Sequence, residues 1–269
     1  MLRVTGRRAD GYHTLQTVFQ FLEYGDRLHF QIRRDGVIRR TTTLPFPPEQ
    51  DLMLRAAHLL RQETGSTLGV DIAVDKVLPL GGGLGGGSSN AATVLVALNR
   101  LWGLGLSEDE LALLGLRLGA DVPVFVRGRA AWGEGVGEIL TPITIPESWY
   151  LVVTPDCQVA TGEIFSDSEL TRDSPPITIR DFLAGDARND CEPVVCRRHK
   201  GVAAVLDWFG TSAHLTGTGA CVFVAFADAE SAHAAKTGLP PAWRAFVARG
   251  CNRSPLLVHC ADYVVSSGV

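Results

Sequence analysis

One stretch limits the folds open to this chain more than any other. In Leu78-Pro79-Leu80-Gly81-Gly82-Gly83-Leu84-Gly85-Gly86-Gly87-Ser88-Ser89-Asn90, six glycines and two serines run into a helical pattern. Ahead of it, Gly69 to Leu78 alternates apolar and charged residues as a half-buried strand does. After it, Ala91, Ala92, Val94, Leu95, Leu98, Leu101 and Trp102 repeat along one helical face, with Ser88 or Ser89 as the expected N-cap. The chain must pass from strand to helix through backbone that glycine tolerates best when φ is positive. Such a turn gathers bare N–H groups beside the positive end of a helix macrodipole, so an anion is its natural occupant.

Two common nucleotide loops do not fit. A P-loop needs a lysine after its last glycine, and Gly87 is followed by Ser88. Gly81, Gly83 and Gly86 satisfy a dinucleotide spacing, but the acidic residue wanted about twenty positions on is replaced by Asn99-Arg100-Leu101-Trp102 at a helix end.

A chain of 269 residues holds two ordinary domains, each with its own core. The expected division is residues 1–146 and 147–269, with Pro142 and Pro146 at the boundary. A hydrophobic share of 46% with 20% charged residues describes a globular chain, and no apolar run approaches a membrane span. Met1 to Arg8 lacks the apolar core of a signal peptide, so the expected location is the cytoplasm. A net charge of −4 gives no field for nucleic acid or a membrane surface. The six cysteines form no CxxC pair and are expected as thiols; Cys191, Cys196 and His199 lack a fourth ligand and zinc spacing.

Elsewhere, Arg3 to Gly6 reads as the tail of a strand, Asp10-Gly11 as a turn and Thr14 to Phe21 as a second strand. Asp26 to Arg34 and Gly36 to Thr43 read as a hairpin about Asp35-Gly36, followed by a helix from Leu52 that ends at Gly65. Ser107 to Glu110 is a capping box for a helix through Leu118. Gly119-Ala120-Asp121-Val122-Pro123 then sets a single carboxylate before an apolar run, and from the residues alone a helix cap and a catalytic base weigh evenly. Gly128 to Thr141 reads as a hairpin, Ser166 to Pro176 as a loop, and His214 to Phe226 as a glycine turn leading into a buried strand. Helices are expected from Asn189, over Val202 to Phe209 and over Ser231 to Leu239, with a last strand over Phe246 to Gly250.

Three of these stretches resemble the GHMP small-molecule kinases. Pro79, Gly83, Leu84, Gly85, Ser88 and Ser89 are similar to the family loop Pro-x-x-x-Gly-Leu-Gly-x-Ser-Ser, enlarged by one glycine. Gly119 to Pro123 and His214 to Phe226 resemble its other two motifs. Arg8-Ala9-Asp10-Gly11-Tyr12-His13-Thr14-Leu15-Gln16 is similar to the branch acting on cytidine diphosphate-linked methylerythritol in the non-mevalonate isoprenoid route. The resemblance implies a two-domain α+β fold, with a ribosomal-protein-S5-domain-2-like N-terminal domain that binds ATP and a ferredoxin-like C-terminal domain closing the cleft. It also implies ATP and Mg²⁺, and phosphorylation of the 2-hydroxyl of the erythritol part.

By position in the motifs, Asp121 is the implied catalytic base. Lys76, Pro79, Leu80, Gly81, Gly82, Gly83, Leu84, Gly85, Gly86, Gly87, Ser88 and Ser89 are implied at ATP, with Ser89, or Ser88 beside it, as a metal ligand. Tyr12, His13, Val136, Phe165, Thr216 and Gly217 are implied at the substrate. An aromatic ring suits stacking on a pyrimidine, and an imidazole suits hydrogen bonding to its edge. A monomer or weak homodimer is expected, with a small-molecule substrate as its partner.

The sequence departs from the family at its front. Members carry a strand Pro-Ala-Lys-Leu-Asn-Leu ahead of the counterpart of Arg3 to Gly6, and this sequence begins after it. Without that strand a neighbour is expected to show unpaired backbone groups, and a lysine that neutralises phosphate charge is missing. Lys76 belongs to the nucleotide side, and Lys200 and Lys236 fall in the second domain. Two alternatives follow: a GHMP kinase for another alcohol, and a nucleotide-binding chain without catalysis.

Overall fold

The structure is a computed structural model and describes residues 1–262. In chain order its first elements are β1 (Leu2–Arg7), β2 (His13–Phe19), β3 (Phe21–Leu22), β4 (Arg27–Arg33), β5 (Ile38–Arg40), α1 (Leu52–Thr64) and β6 (Gly69–Asp75). Next come α2 (Gly86–Leu101), α3 (Glu108–Leu116), α4 (Val122–Arg127), β7 (Ala131–Glu134), β8 (Ile139–Pro142) and β9 (Trp149–Thr154). The chain continues through α5 (Thr161–Ser166), α6 (Ile179–Leu183), α7 (Glu192–Arg198), α8 (Lys200–Phe209), β10 (Ala213–Leu215) and β11 (Val222–Phe226). It ends with α9 (Ala229–Thr237), β12 (Arg244–Cys251) and α10 (Pro255–Asp262).

These elements form two compact units, both discontinuous in sequence. Met1–Tyr24, Leu78–Gly85 and Ala130–Asn252 make the first; Gly25–Val77, Gly86–Arg129 and the chain from Arg253 make the second. The chain passes from one unit to the other between Gly85 and Gly86.

The first unit carries a four-stranded sheet in the order β1-β2-β7-β8 and a five-stranded sheet in the order β10-β11-β9-β12-β3. All their pairings are antiparallel. Val222, Val224, Leu151 and Val153 point from the larger sheet into a core completed by Ile164, Val195, Val202 and Val205 from the helices. The outer edge of β1 is not left bare as expected. Leu2 N–H donates to the Arg188 carbonyl at 3.1 Å, Asp190 N–H to Leu2 at 2.8 Å and Ser174 N–H to Val4 at 3.0 Å. The Val4 N–H donates to the buried Asp190 carboxylate at 2.8 Å, so the segments around Ser174 and Asp190 do the work of a neighbouring strand.

In the second unit the expected hairpin does not form. The sheet order is β4-β6-β5, with β6 antiparallel to β4 and parallel to β5. Val70, Ile72 and Val74 of β6 are buried, which gives the central place to the strand with the strongest apolar alternation. Gly69 allows the insertion, since a Cβ there would lie 2.2 Å from the Val37 carbonyl oxygen. Helices α1 and α2 cover this sheet through Ala56, Leu60, Val94, Leu95 and Leu98.

Asp51 caps α1 by accepting from Met53 N–H at 2.8 Å, and its carboxylate also meets Arg40 at 2.7 Å with both side chains nearly buried. Ser107 and Glu110 form the expected capping box of α3. Helix α2 starts at Gly86, two residues before the expected cap, because Gly85 supplies the left-handed break at φ 66°. Ser88 and Ser89 thus lie in the first turn of the helix. Among the described residues no helix is long and apolar enough to cross a membrane.

Candidate active site

Within the first unit the glycine loop turns left-handed at every second residue, with φ of 68° at Gly81, 72° at Gly83 and 66° at Gly85. Two of its carbonyls are taken by the turn after β10. Cys221 N–H donates to the Gly82 carbonyl at 3.0 Å and Ala220 N–H reaches the Gly81 carbonyl at 3.4 Å. The Thr216 hydroxyl donates to the same Gly82 oxygen at 2.9 Å. A Cβ on Gly83 would lie 2.5 Å from the Thr216 carbonyl oxygen and 2.6 Å from that of Gly219, so no other residue fits there.

The loop's donors stay spare. Among the described residues, the N–H groups of Gly81 to Gly85 make no hydrogen bond to the protein, and Gly81 and Gly83 are exposed. Alternating left-handed residues with spare N–H groups is the pattern of an anion-binding nest. The next residues, Gly86 to Ser89, form the first turn of α2, whose N–H groups have no partner within the helix.

In the second unit Lys76 leaves β6 with its ammonium 2.7 Å from the Asp26 carboxylate, which is fully buried. Asp26 also accepts from Val77 N–H at 2.9 Å and from the Asn90 amide at 2.9 Å. The lysine charge is thereby met by a carboxylate, and the end of β6 is tied to the first turns of α2.

Asp121 precedes α4, where Pro123 sits in the first turn as expected. Val122, Val124 and Val126 bury that helix, and it packs on α2 and α3. The Asp121 side chain caps nothing. Among the described residues it has neither a hydrogen bond nor an ion pair. One side of the residue is open to solvent, yet the surrounding protein desolvates the carboxyl enough to raise its pKa above the ordinary carboxylate value. An acid that is reachable, unpartnered and poorly hydrated suits proton abstraction better than capping.

Back in the first unit, His13 opens β2 and stacks on Phe165 of α5, with ring centroids 5.2 Å apart and planes 23° from parallel. Tyr12 stands beside them 65% exposed, so its ring is free to meet a ligand. Arg172 holds the pair together. Its Nε donates to His13 Nε2 at 3.0 Å, while its Nη2 donates to the Phe165 carbonyl at 2.9 Å and the Asp167 carbonyl at 2.7 Å. Burial first, then the charges of Arg172 and Arg7, lower the His13 pKa, so the ring is neutral near neutral pH.

Around the same unit, the Thr161 and Thr218 hydroxyls lie 2.9 Å apart, linking α5 to the turn that holds Thr216 and Gly217. The Asn189 amide fixes that turn by donating to the Gly217 carbonyl at 2.8 Å. Val136 lies in the β7–β8 turn, which is bonded to β2 through Leu15 N–H and the Gly135 carbonyl at 2.8 Å. Sequence reasoning passed over Arg172, Asn189 and Asp26. Arg172 sits in a polar loop and Asp26 between strands, where no spacing singles them out; Asn189 was noticed only as a helix start.

The arrangement is that of a GHMP kinase: the model described as the GHMP kinases N terminal domain matches residues 51–129. Proteins named 4-diphosphocytidyl-2-C-methyl-D-erythritol kinase share most of the chain. The one from Alkalilimnicola ehrlichii is 60% identical over 95% of this chain and 89% of its own. That from Halorhodospira halophila is 57% identical over 97% of this chain and 93% of its own. The chain belongs to the 4-diphosphocytidyl-2-C-methyl-D-erythritol kinase family. A crystal structure of 4-(cytidine 5'-diphospho)-2C-methyl-D-erythritol kinase superposes with a TM-score of 0.79 at 31% identity, covering 93% of this chain and 94% of that one. Homoserine kinase from Cytophaga hutchinsonii, at 17% identity and a TM-score of 0.62 over 94% of each chain, shares the two-domain α+β fold.

Proposed function

We propose that this chain transfers the terminal phosphoryl group of ATP to the 2-hydroxyl of 4-diphosphocytidyl-2-C-methyl-D-erythritol, a step of the non-mevalonate route to isoprenoid precursors. The observation that carries this reading is the 60% identity, over 95% of the chain, to a kinase named for that substrate. The stacked His13 and Phe165 rings support a heteroaromatic base as part of the substrate.

In this reading the spare N–H groups of Gly81 to Gly85 and the first turn of α2 hold the ATP phosphates, with Lys76, Pro79 and Leu80 flanking the nucleotide. Asp121 accepts the proton of the attacking hydroxyl, which strengthens the nucleophile as the phosphoryl group leaves ADP. Tyr12, His13 and Phe165 hold the cytosine, and Val136, Thr216 and Gly217 line the rest of the substrate. The Ser88 and Ser89 hydroxyls make no hydrogen bond among the described residues and are hard oxygen donors, which fits a magnesium ion. When bound, Mg²⁺ would supply neutralisation of phosphate charge. We take residues 1–146 and 147–269 as the family's two sequence domains, in a cytoplasmic monomer or weak homodimer.

The test is ADP release by the purified chain with ATP, Mg²⁺ and the cytidyl substrate, with mevalonate and homoserine as alternative acceptors. Turnover confined to the cytidyl substrate is expected. Turnover on either of the other alcohols alone, or ATP binding with no turnover, would replace this assignment.

A further inference from the structure

The turn that occupies two of the glycine loop's carbonyls is itself held from behind. Asn189 is buried at 7% exposure. Its amide nitrogen donates to that turn twice, to the Gly217 carbonyl at 2.8 Å and to the Leu215 carbonyl at 3.2 Å. The amide oxygen accepts from Cys191 N–H at 3.0 Å. Only a carboxamide offers two N–H donors and an acceptor on one small planar group. The backbone that carries it is anchored as well. Leu2 N–H donates to the Arg188 carbonyl at 3.1 Å, Asp190 N–H to the Leu2 carbonyl at 2.8 Å, and Glu192 N–H to the Asn189 carbonyl at 3.2 Å at the start of α7.

Leu215 and Gly217 flank Thr216 on either side. The Thr216 hydroxyl reaches the Gly82 carbonyl at 2.9 Å, and a Cβ on Gly83 would lie 2.5 Å from the Thr216 carbonyl oxygen. With the carbonyls before and after it fixed by one amide, Thr216 has little room to swing away from the loop. We infer that Asn189 is a positioning residue for nucleotide binding: by holding Leu215 and Gly217 it sets Thr216 against Gly82, and so keeps the loop N–H groups aligned on one anion. Preorganised donors lose much of their effect when the frame behind them slackens by a fraction of an ångström. The inference rests on the reading that this loop holds the ATP phosphates, and it adds a residue which that reading does not use.

The test titrates the full chain with a fluorescent ATP analogue and runs steady-state kinetics with each substrate varied. Asn189→Asp keeps the shape and the acceptor but sets a carboxylate against two carbonyl oxygens. The dissociation constant of the analogue and the KM for ATP should rise by about tenfold or more, with KM for the cytidyl substrate and kcat at saturating ATP little changed. Lowering the pH should narrow the gap in binding, because protonation returns one O–H donor at that position. Asn189→Ala places no charge against the turn, should give a smaller rise, and serves if Asn189→Asp does not fold. Combined with Thr216→Val, either change should fall short of additivity, since both act on one contact. A purely structural residue would lower the melting temperature and leave ATP binding by the folded chain unchanged. That result overturns the inference, as does full additivity with Thr216→Val. Gly83→Ala, run alongside, tests the reading beneath it. If it binds the analogue as wild type does, the loop is not the phosphate site and the inference falls with it. If it abolishes binding while the folded Asn189 variants bind normally, the inference alone falls.

Discussion

The Thr216 hydroxyl donates to the Gly82 carbonyl at 2.9 Å, which ties the turn after β10 to the middle of the glycine loop. Neither residue is next to the other in any secondary-structure pairing. With the Cys221 N–H, the Thr216 hydroxyl occupies the Gly82 carbonyl, while the loop N–H groups stay spare among the described residues. Thr216→Val keeps the shape and removes the donor. A loss of roughly 1 kcal/mol of stability is expected, with a higher KM for ATP and little change in KM for the alcohol; steady-state kinetics with each substrate varied in turn would show it.

Gly83→Ala should be worse than Gly81→Ala, where φ is also positive but the nearest side-chain atom is 3.6 Å from the new Cβ. It should also be worse than Gly82→Ala, whose Cβ would meet the Cys221 and Pro79 side chains at 2.8 and 2.9 Å rather than backbone. At Gly83 a new Cβ would meet two backbone oxygens, at 2.5 and 2.6 Å, and φ is 72°. Loss of nucleotide binding in a chain that still folds is the expected result, measured by titration with a fluorescent ATP analogue. Normal ATP affinity would show that the loop does not contact phosphate as proposed.

Asp121 links activity and stability in opposite senses. Its folded pKa lies above the unfolded one, so the charged carboxylate disfavours the fold at pH values above that raised pKa, and the penalty disappears as pH falls below the ordinary carboxylate value. Asp121→Asn should therefore unfold at the same or a higher temperature than wild type at neutral pH, with the difference vanishing in acid. Turnover should fall by about 10²- to 10⁴-fold. The wild-type rate should drop in acid around a pKa above that of a free aspartate, and rate profiles with melting curves at matched pH separate the two effects.

Asp26 is a buried acceptor whose donors include the Lys76 ammonium at 2.7 Å and the Val77 N–H and Asn90 amide at 2.9 Å each. Asp26→Ala leaves a largely buried ammonium without its carboxylate and should cost roughly 3–5 kcal/mol. Asp26→Asn should cost less, since it keeps an acceptor. Urea denaturation of both variants tests the order.

Phe165→Ala removes the ring stacked on His13 at 5.2 Å. Base stacking on an aromatic side chain contributes about 1–3 kcal/mol, so the inhibition constant of cytidine diphosphate should rise from several-fold to about a hundredfold while the KM for ATP stays put. An unchanged constant would remove Phe165 from the substrate site.

Much of this was legible in the sequence where local pattern and physical demand coincide. Gly69 to Trp102 declares strand, loop and helix because periodicity changes from two to 3.6 across a glycine run. The turn of Thr216 to Ala220 was singled out by its resemblance to a family motif, and the close approach of its carbonyls to Gly83 shows why glycine stands there. What stayed hidden depends on partners distant in sequence. The alternation in β4 and β5 gives no sign that β6 lies between them, and a lone Arg172 in a polar loop has no spacing to announce that it grips His13. The start of α2 at Gly86 was missed because serines are better caps than glycines, whereas here Gly85 itself breaks the backbone.

The order β4-β6-β5 also bears on how the protein is made. Ribosomes release β4 and β5 before β6, and neither pairs with the other, so both strands emerge with no sheet to join until residues 69–75 have been synthesised. Their unpaired edges are thus exposed on the nascent chain for the whole time it takes to make α1, an interval in which a holding chaperone has something to hold.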